Sequence, residues 1–133
     1  MTALETVGQH MDTHVPTLSP TQPILEAIRF LVRHRVTGAP VVDSEGKLLG
    51  ILSERDCLGI FTAEGGGLGT NATVSDFMTT EVVTVTPEMK IGYVAGLFLR
   101  HSFRRLIVLE NEKVVGAITR FDILRYTAYC LPG

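Results

Sequence analysis

The sequence predicts an α+β chain of two β-α-β-β-α repeats, and three observations carry that expectation. The first is an internal repeat: adding 67 to a position in the first half finds its counterpart in the second, as Met11 finds Met78, Thr13 finds Thr80, Pro20 finds Pro87 and His34 finds His101. Past a hairpin turn that is one residue shorter in the second copy, the offset falls to 66, so Gly50 meets Gly116, Ser53 meets Thr119 and Asp56 meets Asp122. The second is an apolar run, a tight polar turn and another apolar run, ended in each copy by a hydroxyl residue three before an aspartate. It reads Thr37-Gly38-Ala39-Pro40-Val41-Val42, Asp43-Ser44-Glu45-Gly46, then Leu48 to Asp56, and returns as Arg105 to Asp122. The third is helical spacing of Ile24, Leu25, Ala27, Ile28, Leu31 and Val32. Two copies at so long a period do not make a solenoid, which needs three or more units. They read as a duplication whose halves pack against each other.

Each element follows in chain order. Thr6 to Met11 predicts a short helix and Val15 to Leu18 an extended segment. Ser19-Pro20-Thr21-Gln22-Pro23 sets up a helix start, where proline is tolerated, and the helix covers Ile24 to Val32. Ala39 to Val42 and Lys47 to Leu52 form a hairpin; Asp leading and Gly closing the turn suit type I geometry. A short helix follows over Arg55 to Phe61. Ala63 to Thr73 carries four glycines and reads as a loop. The second copy repeats the order: Val82 to Val85 extended, Glu88 to Arg100 helical, two strands, and a helix from Arg120 to about Cys130. The expected division is repeat 1 over 1–62, linker 63–73 and repeat 2 over 74–133.

Composition narrows the classes. At 133 residues, 45% apolar and 20% charged, the chain is globular in character and the length of one domain or two small halves. A net charge of −2 gives no electrostatic case for nucleic acid or an anionic membrane. No apolar run approaches the ~20 residues that span a bilayer, and Met1 to His10 lacks the basic start and apolar stretch of a signal peptide. Cys57 and Cys130 show no metal or redox spacing, consistent with idle thiols in a reducing cytoplasm. His10 and His14 stand four apart without a third ligand, and Pro16 argues against a helix carrying both. Gly65-Gly66-Gly67-Leu68-Gly69-Thr70 lacks the lysine of a phosphate-binding loop. No nucleophile-base-acid set can be placed, so an enzyme is not expected.

The chemistry concentrates where the second strand of each hairpin meets the following helix. A carboxylate in the first turn there can accept hydrogen bonds from both hydroxyls of a ribose, and the hydroxyl of Ser53 or Thr119 beside backbone N–H groups suits a phosphate. The same letters describe a capping box, which stabilises a helix and needs no ligand. Both roles stay open, since a side chain can cap when empty and bind when ligand arrives.

With these motifs in order and in both copies, the chain resembles a tandem pair of CBS domains, named for cystathionine beta-synthase. The resemblance rests on Met11 and Met78, on Leu18-Ser19-Pro20 and Val85-Thr86-Pro87, and on the hairpins ending Gly50 to Asp56 and Gly116 to Asp122. It implies sheet-to-sheet packing with pseudo-two-fold symmetry and two clefts for an adenosine-containing ligand: AMP, ADP, ATP or S-adenosylmethionine. It further implies a non-catalytic regulatory role, a regulated protein partner and a homodimer. In such a pair each cleft takes strand-entry residues from one copy and the acidic helix from the other. That groups Val36, Thr37, Gly38 and Ala39 with Thr119 and Asp122, and Phe103, Arg104 and Arg105 with Ser53 and Asp56, while Thr13 and Thr80 border the clefts. The paired arginines would draw the second grouping toward the more highly phosphorylated ligand. Apolar positions Val94, Leu97 and Phe98 are expected to leave a helix face for the homodimer. The alternative is a ligand-free module for dimerisation or docking.

Overall fold

Apolar residues at helical spacing bury one stripe and leave the other in water, and helix α2 (Ile24–His34) follows that rule, seating Ile24, Ala27 and Leu31 inward. Its end is set by Arg35, whose left-handed backbone (φ 54°) closes the last turn. The structure is a computed structural model that describes residues 5–62 and 71–130. The glycine-rich stretch of the expected linker lies outside them. The remaining elements are α1 (Val7–His10), β1 (Gly38–Val42), β2 (Leu48–Ser53), α3 (Glu54–Leu58) with a 3₁₀ turn over Gly59–Phe61, and α4 (Val74–Phe77). They continue with β3 (Thr84–Val85), α5 (Ile91–Arg100), β4 (Arg105–Glu110), β5 (Lys113–Thr119) and α6 (Arg120–Cys130). Among the described residues, no helix is long and apolar enough to cross a membrane.

The chain divides into two compact units, residues 16–82 and residues 1–15 with 83–133. In the first, β1 and β2 pair antiparallel, with Leu18 bridged to Val41 in parallel sense and Ile51 bridged to Thr79. In the second, β3 runs parallel to β4, β4 antiparallel to β5, and Asp12 bridges Ala117. Register irregularities fall at the repeat-equivalent steps Val41/Val42 and Val108/Leu109. The expected extended segment at Val15 to Leu18 is thus a single bridge in copy one and a two-residue strand in copy two. The first hairpin turn is braced by Asp43, whose Oδ1 accepts from the N–H groups of Glu45 and Lys47 at 2.8 and 3.0 Å. Those N–H groups hold its carboxyl below the usual range. The shorter second turn places Asn111 and Glu112 at φ 53° and 67°, the two left-handed positions of a tight hairpin turn.

The opening segment of each repeat docks in the other copy's unit. α1 sends Val7 into the core formed by Val85, Ile91, Val94, Leu106, Val108 and Ile118. Its Val7 and Gly8 N–H groups donate to the carbonyls of Met89 and Pro87, each at 2.9 Å. α4 does the same for copy one: Val74 joins Leu18, Ile24, Leu31, Val41 and Leu52, and its N–H donates to the Gln22 carbonyl at 2.9 Å. Burying one such valine contributes about 1.5–3 kcal/mol. Capping boxes start both arms, Thr6 with Gln9 and Thr73 with Asp76. Close approach of each arm to the hairpin requires a missing side chain. A Cβ at Gly50 would sit 2.6 Å from the Thr79 carbonyl oxygen, and one at Gly116 would sit 2.6 Å from Met11 Sδ and 2.9 Å from the Asp12 carbonyl oxygen.

Val94, Leu97 and Phe98 are core residues here, at 9% exposure or less, so they leave no face uncovered. The exposed large apolar residues of α5 and α6 are instead Tyr93 and Leu99 on the first and Phe121, Leu124 and Tyr129 on the second.

Candidate functional site

The end of β2 delivers Ser53 in extended conformation, so its side chain meets the first turn of α3. Asp56 N–H donates to Ser53 Oγ at 3.2 Å, while Asp56 Oδ2 accepts from the Ser53 N–H and hydroxyl, both at 2.9 Å. The N–H of Glu54 donates to the Thr37 carbonyl at 2.7 Å. Two of the helix's N–H groups are therefore satisfied without ligand, and the capping role is realised in full. The other carboxylate oxygen, Oδ1, accepts a hydrogen bond from Thr79 Oγ1 at 3.1 Å. Thr79 arrives on the arm that follows α4.

The second copy repeats the cap and changes its surroundings. Thr119 N–H donates to Asp122 Oδ2 at 2.8 Å, and Asp122 N–H donates to Thr119 Oγ1 at 3.1 Å. Here Oδ1 accepts from an Arg125 guanidinium nitrogen at 2.8 Å. Asp122 is buried, with 11% of its side chain exposed, whereas the Arg125 side chain is half exposed and also lies 5.9 Å over the Phe121 ring. The repeat equivalent of Thr79 is Asp12, and that of Arg125 is Gly59.

Strand-entry residues fall beside these caps within their own copies. Gly38 pairs with Ser53 in the ladder, and Arg105 pairs with Thr119. Val36 is half-buried against the core, Ala39 is buried and Thr37 is exposed. A Cβ on Gly38 would come 3.1 Å from the Leu52 carbonyl oxygen, so strand pairing by itself accounts for that glycine. Phe103 packs partly into the core and stacks on the His101 ring at 4.8 Å. Arg104 is exposed. Burial draws the pKa of Arg105 down from its ordinary value, with Asp12 acting in the opposite direction. Thr13 and Thr80 are exposed beside Asp12 and Thr79. Val36 to Ala39, Ser53, Asp56 and Thr80 belong to the unit of residues 16–82; Thr13, Phe103 to Arg105, Thr119 and Asp122 belong to the other.

Cys57, one residue past Asp56, is buried, and desolvation followed by the Asp56 charge pushes its thiol up to about 11. His10 faces Glu5 at 2.8 Å and the Tyr126 ring at 4.8 Å, a local pairing inside its unit. A groove on the unit of residues 1–15 and 83–133 is lined by residues that include Phe98, Leu99, Ile123 and Leu124 together with Arg100 and Arg120.

Two site residues escaped sequence reasoning. Arg125 was legible as an i, i+3 partner of Asp122 on a predicted helix. Thr79 carried no local signal, because it reaches Asp56 across 23 residues of chain.

Comparison with known proteins places these features in a family. The model of the CBS domain matches twice, over residues 7–62 and 74–129. The CBS domain-containing protein YhcV of Bacillus subtilis is 35% identical over 120 residues, covering 90% of this chain and 84% of that protein. Across the first three curated relatives the chain spans between 42% and 84% of their length. Among solved structures, CBSX2 in complex with AMP superposes with a TM-score of 0.82 at 30% identity, covering 93% of this chain and 96% of that one. The CBS domain pair of protein MJ0100, in complex with 5′-methylthioadenosine and S-adenosyl-L-methionine, has a TM-score of 0.78 at 25% identity, with coverages of 94% and 97%.

Proposed function

The chain belongs to the CBS domain family, and on that premise we propose that it is a non-catalytic sensor for an adenosine-containing ligand. The observation that carries the reading is the duplicated strand-to-helix junction, where Ser53 with Asp56 and Thr119 with Asp122 each present a carboxylate beside a hydroxyl. Each carboxylate has an outer oxygen held only by a side chain, so a ribose diol can displace that partner without unwinding the helix. The ligands bound by CBSX2 and by the MJ0100 domain pair share this ribose and support the choice. Thr37, Gly38 and Ala39 with Val36, and Phe103, Arg104 and Arg105, are the residues we assign to base and phosphate, with Thr13 and Thr80 at the margins.

A thermal-shift series with AMP, ADP, ATP and S-adenosylmethionine tests this. A ligand at one hundred times its dissociation constant adds about 2.7 kcal/mol. Asp56→Asn and Asp122→Asn keep capping ability, since asparagine caps well, and remove the charge that holds the diol. Each should lower the shift; unchanged shifts in both would return the motif to capping alone.

A docking role is favoured by a separate observation, the exposed Leu99, Phe121 and Leu124, of which Leu99 is 88% exposed. These residues are the face we assign to a homodimer, in place of the core positions named from sequence. Light scattering at micromolar concentration should give twice 14.5 kDa, and Leu124→Glu should return it to the single-chain mass.

A further inference from the structure

We propose that Arg125 is an intramolecular latch on the Asp122 carboxylate, so that the two ribose sites differ in affinity and the Asp56 site fills first. The inference rests on the adenosyl reading above and adds a residue that sets its specificity. The two outer oxygens are held differently. At Asp56 the partner is the neutral Thr79 hydroxyl at 3.1 Å on an exposed side chain. One turn about χ1 withdraws it. At Asp122 the partner is a guanidinium at 2.8 Å on a carboxylate that is almost fully buried. A charge-assisted bond to a carboxylate is roughly twice as strong as a neutral one, and a sugar hydroxyl replacing it brings no compensating charge. The guanidinium also loses its partner when a diol enters, although its half-exposed position lets water take it up.

The latch is local to copy two. It sits one helical turn beyond Asp122, where side chains three apart share a face. Copy one carries Gly59 at the matching place, with nothing within 4 Å of the position a Cβ would occupy. A side chain could leave the backbone there without a clash at its first atom, and the sequence places none.

Calorimetry with adenosine on single-site proteins tests the latch. In an Asp56→Asn background, which leaves the Asp122 site, Arg125→Ala should tighten adenosine binding by roughly 3- to 10-fold, the range that a partly exposed ion pair supports. Arg125→Gln, which keeps a donor and drops the charge, should give a smaller gain. In an Asp122→Asn background, Gly59→Arg should weaken the Asp56 site. Melting curves of each variant establish that it is folded, and a structural defect would not tighten binding. If Arg125→Ala leaves adenosine affinity unchanged or weaker while Asp122→Asn alone still lowers it, the latch is wrong and the adenosyl reading stands. If neither aspartate variant changes binding, both fall.

Discussion

Around Ser53 and around Thr119 the backbone performs the same act: a strand ends, a hydroxyl receives the N–H of an aspartate, and the aspartate receives the N–H of the hydroxyl residue. Beyond that shared cap the copies part. One aspartate leans on a threonine delivered by an arm, the other on an arginine of its own helix. Duplication has preserved what the local backbone needs and released what it does not. The cap satisfies helix N–H groups that would otherwise go unpaired, and either hydroxyl residue serves. The outer oxygen faces no such demand, so its partner was free to diverge.

The largest expected effect tests whether the copies are separate packing units. Leu52 and Ile118 are repeat equivalents and fully buried, so either change to alanine should cost about 2–5 kcal/mol. Hydrogen exchange should then rise in residues 16–82 for Leu52→Ala and in 83–130 together with α1 for Ile118→Ala. If α1 instead follows Leu52→Ala, the arm assignment is wrong. Next come the glycines under the arms. Gly50→Ala meets a backbone carbonyl at 2.6 Å, whereas the nearest atom to Gly116→Ala is a movable methionine sulfur. Overpacking of this kind costs about 1–3 kcal/mol. Denaturant titration should place Gly50→Ala lower in stability than Gly116→Ala; the reverse order would mean that the Asp12 carbonyl dominates.

A smaller difference separates the aspartates without ligand. Asp122→Asn loses its ion pair with Arg125 as well as its charge at the cap, so it should destabilise by about 0.5–1 kcal/mol more than Asp56→Asn. Equal melting points would show that the Arg125 contact is worth nothing in solution. The smallest effect is one of pH. Cys57 ionises near 11 in the fold against about 8.5 when unfolded. The fold favours the neutral thiol, so this contribution is complete below about pH 8.5 and is lost as pH rises toward 11. Its repeat equivalent is Ile123, which has no such charge. Cys57→Val should flatten the alkaline stability profile, and an unchanged profile would remove the thiol from the account.

Much of this was legible from residue order alone. Hairpins announced themselves through alternating apolar runs and turn residues, and the paired Ser53–Asp56 and Thr119–Asp122 motifs marked the helix starts. The failures have physical causes. α5 reads Ile91-Gly92-Tyr93-Val94-Ala95-Gly96-Leu97-Phe98-Leu99-Arg100, apolar almost all round, so its pattern does not say which side faces the core. The expectation that a thin sheet layer leaves Val94, Leu97 and Phe98 uncovered therefore fails: they face the core, and Tyr93 and Leu99 take the surface. Copy one lacks a full third strand because only Leu18 keeps the bridge that Thr84 and Val85 make together in copy two. The docking of the arms was invisible, because Val7 and Val74 are equivalent valines before two equivalent cores. Nothing in either segment's own letters distinguishes its home.

Those crossed arms set a rule for anyone cutting the gene. A fragment encoding one repeat as its sequence defines it carries an arm whose receptor surface is missing and a hairpin whose covering arm is missing. Two such fragments supplied together hold every piece required, and each can complete the other. The chain is thus a natural candidate for split-and-reassemble reporters, with the break placed between the repeats. A break placed after residue 15 would instead strip α1 from the copy-two core, however modest the deletion looks on paper.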